Sequence, residues 1–124
     1  MLDLSHKKLD VYAMALKLLK EVYTATAEFP KGEQYALTSQ IRRAAISVCS
    51  NLAEGASRIS KQEKKRFYEV SRSSLVEMDT QFEIAILLQY YKCGQMPELE
   101  KYLESIFRIL SKMIDNLGSD PTSH

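Results

Sequence analysis

Leu99, Leu103, Ile106, Leu110, Met113 and Leu117 succeed one another at intervals of 4, 3, 4, 3 and 4 residues. That repeat constrains the fold more than anything else in the chain. It describes an α-helix burying a narrow stripe against neighbours that lie nearly parallel to it, in left-handed packing. Pro97, at home in a first helical turn, and Gly118 punctuate its two ends.

The period extends to the rest of the sequence. Breaks at Pro30 to Gly32, Ser57 to Ser60 and Cys93 to Pro97 divide the chain into four pieces. Helices are expected over about 8–29, 35–56, 60–91 and 97–117, with a polar, frayed tail over 118–124. The first piece carries two stripes. One is Leu9, Tyr12, Leu16, Leu19 and Tyr23; the other, nearly opposite, is Val11, Ala15, Leu18, Val22 and Ala25. One can face the core and the other then needs a further partner.

In the second piece Leu37, Ile41, Ala45, Val48 and Leu52 share a face, which Ile46, Cys49 and Ala53 widen beyond what a surface helix needs. The third opens on a capping box, Ser60 with Glu63, and places Phe67, Val70, Leu75, Met78, Phe82, Ala85 and Ile86 on its core side. It would be roughly 45 Å long, with Gly94 as its C-terminal cap. No stretch alternates as a strand does. Short links between long helices make antiparallel neighbours, so the expected fold is an all-α, antiparallel up-down-up-down four-helix bundle forming one domain.

Composition agrees. Four Gly, three Pro and no Trp argue against an all-β chain, and 45% hydrophobic with 27% charged residues argues against disorder. The cysteines, Cys49 and Cys93, form no motif and are read as reduced thiols in a cytoplasmic protein. The longest uncharged stretch, Ala44 to Ala53, is too short to span a bilayer, and no signal-peptide core stands near the start.

Catalytic signatures are missing. No HExxH, CxxC, Glu-x-x-His, phosphate-binding glycine loop or nucleophile elbow occurs, and His6 and His124 stand near the two ends, where a mobile ring is a poor catalytic base. Cys49 reads as a small packed side chain. The chain is therefore expected not to be an enzyme, with no catalytic residue, cofactor, metal or small-molecule substrate.

Two polar features stand out. The first is a seam: Gln40, Arg43, Ser47, Asn51 and Glu54 along the second helix, facing Ser74, Glu77 and Gln81 on the third. A hairpin folding about residues 58 and 59 brings Arg43 level with Ser74, within reach of a partly buried ion pair with Glu77. We read the seam as a structural network, with a solvated face and a ligand site as the alternatives. Glu54 can pair with Arg58 one turn on, and Gly55 would let another backbone come close. The second feature is the basic cluster Arg58, Lys61, Lys64, Lys65, Arg66 and Arg72, interrupted by Glu63 and Glu69 and accompanied by Tyr68. A solvated helix face is its ordinary meaning; phosphate contact is the competing one.

The net charge of +1 conceals an asymmetry: residues 1–72 carry 13 basic and 8 acidic groups, residues 73–124 carry 4 and 8. In the expected bundle Lys7 and Lys8 share an end with the basic turn, and Glu98, Glu100 and Glu104 lie towards the other. A uniformly basic nucleic-acid binder is excluded; a basic end is not.

The run LTSQIRRAAISVCSNLAEG from Leu37 to Gly55, with Phe67 and the later SLVEMDTQ from Ser74 to Gln81, resembles the four-helix bundle proteins encoded in intervening sequences of bacterial 23S ribosomal RNA. The likeness covers essentially the whole chain; Ala56 and Ser73 depart from the aromatic and the Gly common there. It implies a left-handed antiparallel bundle, assembly as a homo-oligomer, commonly a pentamer, and no established enzymatic activity. A related family, the accessory proteins of diversity-generating retroelements, forms similar pentamers that bind nucleic acid and a reverse transcriptase. By that likeness the expected partners are further copies of this chain, with RNA as the alternative.

Overall fold

The computed structural model describes residues 1–118, with Lys8 described in its backbone alone. The expected tail from residue 119 to His124 therefore lies outside the described residues. A short 3-10 turn, Ser5–Lys8, leads into four helices: α1 Asp10–Ala27, α2 Leu37–Ser57, α3 Lys61–Leu87 and α4 Pro97–Leu117. A second 3-10 turn, Lys31–Glu33, joins α1 to α2. The described residues contain no strand.

Each helix packs on the next in sequence and α4 closes back on α1, with no contact across either diagonal. The α2–α3 contacts run in opposite order along the two helices: Gly55 meets residues 67 and 68, Ser71 meets Val48, and Ser74 meets Ser47. These two helices are therefore antiparallel. The same holds for α3 and α4, where Lys65 reaches Gly118 and Arg72 reaches Ser111. A four-helix bundle results.

In the core the second stripe of α1 wins. Val11, Ala15, Leu18, Val22 and Ala25 are buried, while Leu16 and Tyr23 of the first stripe are about two-fifths exposed. Ala15 and Ala25 let the helix axes approach closely, and of the bulkier stripe Leu9, Tyr12 and Leu19 pack half-buried at the core's edge while Leu16 and Tyr23 stand exposed. Ile41, Val48 and Leu52 of α2, Leu75, Met78 and Phe82 of α3, and Leu99, Ile106 and Leu110 of α4 complete the core. Leu103, Met113 and Leu117 are half-buried and pack against it.

Three expectations for α3 are corrected. Val70 and Ile86 face solvent, and Tyr68 and Ser71 occupy the core side instead. Ser71 is buried because its hydroxyl donates to the Val48 carbonyl of α2 at 2.9 Å, which satisfies it and permits a close approach. The helix also stops at Leu87, short of residue 91, and is about 40 Å long.

Its end is a Schellman motif. Tyr90 N–H bonds the Ala85 carbonyl at 2.8 Å and Gln89 N–H bonds Ile86 at 3.0 Å. Gln89 therefore takes the left-handed cap position, with φ 65°, and Gly94 serves the following turn. At the other end of α3 the capping box forms as read: Ser60 accepts the Glu63 N–H at 3.1 Å. α1 likewise ends two residues early, and Phe29 folds back, buried, against the Tyr90 ring. His6 is not at a mobile end; it is buried in the first 3-10 turn, edge-on to Tyr12 at 4.7 Å.

Candidate functional site

The α2–α3 hairpin carries both polar features, and the structure resolves the seam into separate clusters. At its centre Ser74 donates to the Ser47 hydroxyl at 2.8 Å, and Asn51 donates to the same hydroxyl at 3.0 Å and to the Ser47 carbonyl at 2.9 Å. Short side chains make this possible, because α2 and α3 come close enough for hydroxyls to meet. Towards the α3 C-terminus, buried Gln81 donates to Glu77 Oε1 at 3.2 Å and leaves its own Oε1 without a partner. Near the hairpin tip Arg58 pairs with Glu54 at 3.1 Å, as the spacing anticipated.

Arg43 and Glu77 do not pair. Both are exposed, and the Glu54–Arg58 bridge is the one ion pair among the described residues. Gln40 is exposed as well. The hairpin register also differs by about one turn, since Ser74 meets Ser47 where a fold about residues 58 and 59 placed Arg43, and both side chains lie on the solvent side of the contact, where water competes well with a long ion pair.

Gly55 serves a ring and not a backbone. A Cβ placed there would lie 2.6 Å from Tyr68 Cε1. Tyr68 fills the space beside the glycine, and burial pushes its phenol pKa up.

Of the basic cluster, four members already bond to protein: Arg58 pairs with Glu54, Arg72 donates to the Ser111 hydroxyl at 3.3 Å, and Lys64 and Lys65 reach backbone carbonyls. Lys64 donates to the Gly55 and Ala56 carbonyls at 3.3 and 3.0 Å, and Lys65 to the Gly118 carbonyl at 3.3 Å. Each closes the C-terminus of a neighbouring helix, where a cation is favoured. Arg58 lies over the Phe67 ring, 4.7 Å from its centroid. Lys61 and Arg66 are exposed beside Ile59, which is 98% exposed at the tip.

Two further groups escaped the sequence reading. Arg42, the neighbour of Arg43, donates from Nε to Thr26 Oγ1 at 2.8 Å and lies 4.3 Å from the Tyr23 ring centroid, clamping α2 to α1. An arginine bordering the widened apolar arc was the available signal. Glu100, in the first turn of α4, accepts the Tyr91 hydroxyl at 2.8 Å and the Gly94 N–H at 2.7 Å, with Cys93 Sγ at 3.8 Å. Its carboxylate thereby organises the α3–α4 loop. Burial first, then Glu100, pushes the Tyr91 phenol up. Nearby, Tyr90 donates to Glu33 at 2.9 Å and joins the two loops at this end.

Between α3 and α4 runs a groove of about 410 Å³ lined by Leu75, Val76, Asp79, Glu100, Leu103, Glu104 and Phe107. No group of three or more metal-ligating side chains gathers among the described residues, and none of their helices is long and apolar enough to cross a membrane. No curated protein matches the chain. The model of one family, the 23S rRNA-intervening sequence protein, does match over residues 7–112, most of the chain, and the protein belongs to that family.

Proposed function

We propose that this protein is a non-enzymatic homo-oligomeric bundle, a pentamer as the family likeness implies, that works in the cytoplasm as an interaction scaffold. One observation carries the reading: large apolar side chains stand exposed on two sides of the bundle. Leu16, Tyr23 and Ile46 are 43%, 40% and 44% exposed on the α1–α2 side; Val76 and Phe107 are 52% and 42% exposed on the α3–α4 side. Clustered apolar exposure of this kind marks surfaces that bury against a partner. Light scattering on the purified chain tests it. A discrete mass of several times 14.2 kDa is expected, and a 14.2 kDa species at micromolar concentration would overturn the reading.

A second reading is RNA contact at the hairpin tip. It is favoured by exposed Lys61 and Arg66 flanking Ile59, a place where phosphates can approach. Because Arg58, Lys64 and Lys65 already bond protein groups, few charges remain and the salt dependence should be shallow. Retention on an RNA column that is unchanged by Lys61→Glu with Arg66→Glu would count against it. No cofactor, metal or substrate is assigned to either reading.

A further inference from the structure

The exposed apolar residues do not form one belt. Leu16 and Tyr23 stand seven residues apart on a single face of α1. Arg42 of α2 stacks on that Tyr23 ring, and Ile46 follows Arg42 by one turn. Leu16, Tyr23, Arg42 and Ile46 therefore lie on one surface across the α1–α2 boundary. Val76 and Phe107 belong instead to the α3–α4 groove. Since the helices pack in a closed ring with no diagonal contact, the α1–α2 and α3–α4 sides lie opposite each other.

The two sides also differ in charge. Arg42 has no carboxylate partner, while Asp79 and Glu104 of the groove have no cation partner among the described residues. One side is thus apolar and carries a cation. The other is a groove that carries three carboxylates, Asp79, Glu104 and the loop-bound Glu100. Pairing like with like would set arginine against arginine or leave a groove facing a groove. Pairing unlike sides covers both apolar surfaces and brings the cation towards the carboxylates.

Resting on the oligomeric reading above, we propose that the occupant of the α3–α4 groove is the α1–α2 face of a second copy of this chain. Ile46 and Tyr23 of one copy seat against Val76 and Phe107 of the next. Such a contact is heterologous: each copy offers one face and one groove, so copies add head to tail and finish in a ring when the rotation closes.

Two variants at exposed positions test the pairing without disturbing the core: Ile46→Asp removes the face and Phe107→Asp removes the groove. Helical content by circular dichroism reports that both remain folded. Each alone should run at 14.2 kDa. Mixed in equal amounts, they should form a species of twice that mass and nothing larger, because one intact face then meets one intact groove. A wild-type oligomer with either variant still at the wild-type mass, or a mixture that stays at the single-chain mass, would overturn this pairing. Wild-type chain at the single-chain mass would instead remove the oligomeric reading beneath it.

Discussion

The ring of Tyr68 lies where the side chain of any residue larger than glycine at position 55 would have to go: a carbon there comes within 2.6 Å of Cε1 and 2.8 Å of Cδ1. Gly55 sits inside α2, where glycine by itself costs about 1 kcal/mol relative to alanine. The chain accepts that cost in order to admit the ring. Gly55→Ala should therefore destabilise, because overpacking by about 1–3 kcal/mol exceeds the gain in helix propensity. A lowered midpoint in thermal unfolding is expected; a raised one would show that the ring moves aside freely.

Gln89 gives the opposite sign. Its φ of 65° is one that side chains with a Cβ adopt at a cost of about 1–2 kcal/mol. Gln89→Gly relieves that strain and gives back part of it as backbone entropy in the unfolded chain. A net gain of about 0.5–1 kcal/mol is expected, seen as a higher urea midpoint at unchanged slope.

Arg42 and Arg43 are adjacent and should behave differently. Arg42→Ala removes a hydrogen bond to Thr26 and a stacked cation from Tyr23, for a loss of about 1–2 kcal/mol. Arg43→Ala removes an exposed side chain without an ion pair and should stay within about 0.5 kcal/mol of the parent. Equal losses in chemical denaturation would mean that Arg43 has a partner within the folded chain.

Burial raises the Cys49 thiol from 9.0 to about 11. The folded state thus favours the neutral thiol, and its contribution is complete below pH 9 and lost as pH climbs towards 11. Stability should fall by about 2 kcal/mol across that window, and Cys49→Ala should flatten the fall. Thiol labelling gives a second measure: exposed Cys93 should react in the native protein, and Cys49 only after unfolding.

Glu100→Gln keeps the size of the side chain at the α3–α4 loop but removes the charge that holds Gly94 N–H and the Tyr91 hydroxyl. Amide exchange at Gly94 should quicken. Spectroscopic titration should find the Tyr91 phenol ionising at lower pH, though still above the ordinary tyrosine value, because desolvation is the larger cause of its shift.

Helix number, the α2 and α4 faces, the capping box and the Glu54–Arg58 pair were all legible in the sequence, since each rests on spacing within one element. What could not be read depends on which neighbour lies beyond. The two stripes of α1 are equivalent by period, and the smaller one is buried because Ala15 and Ala25 admit a closer helix. Ser71 looks like a surface residue until a carbonyl of α2 is placed 2.9 Å from its hydroxyl. Gln89 ends α3 although a glycine stands five residues later, because the bonds from Gln89 and Tyr90 back into the helix are what close it. Of the candidate site, hairpin geometry brought the polar residues of α2 and α3 together but set Arg43 against Ser74, one turn from the Ser47 that Ser74 meets, and the outward turn of Arg43 and Glu77 could not be read.

Lys64 and Lys65 are consecutive, yet they hold different elements: one bonds the last carbonyls of α2, the other the residue after α4. The last turns of two helices remote in sequence are therefore fastened to one short stretch of a third. Loosening the start of α3 would release both contacts at once, which couples the ends of α2 and α4 through one short stretch of the third helix.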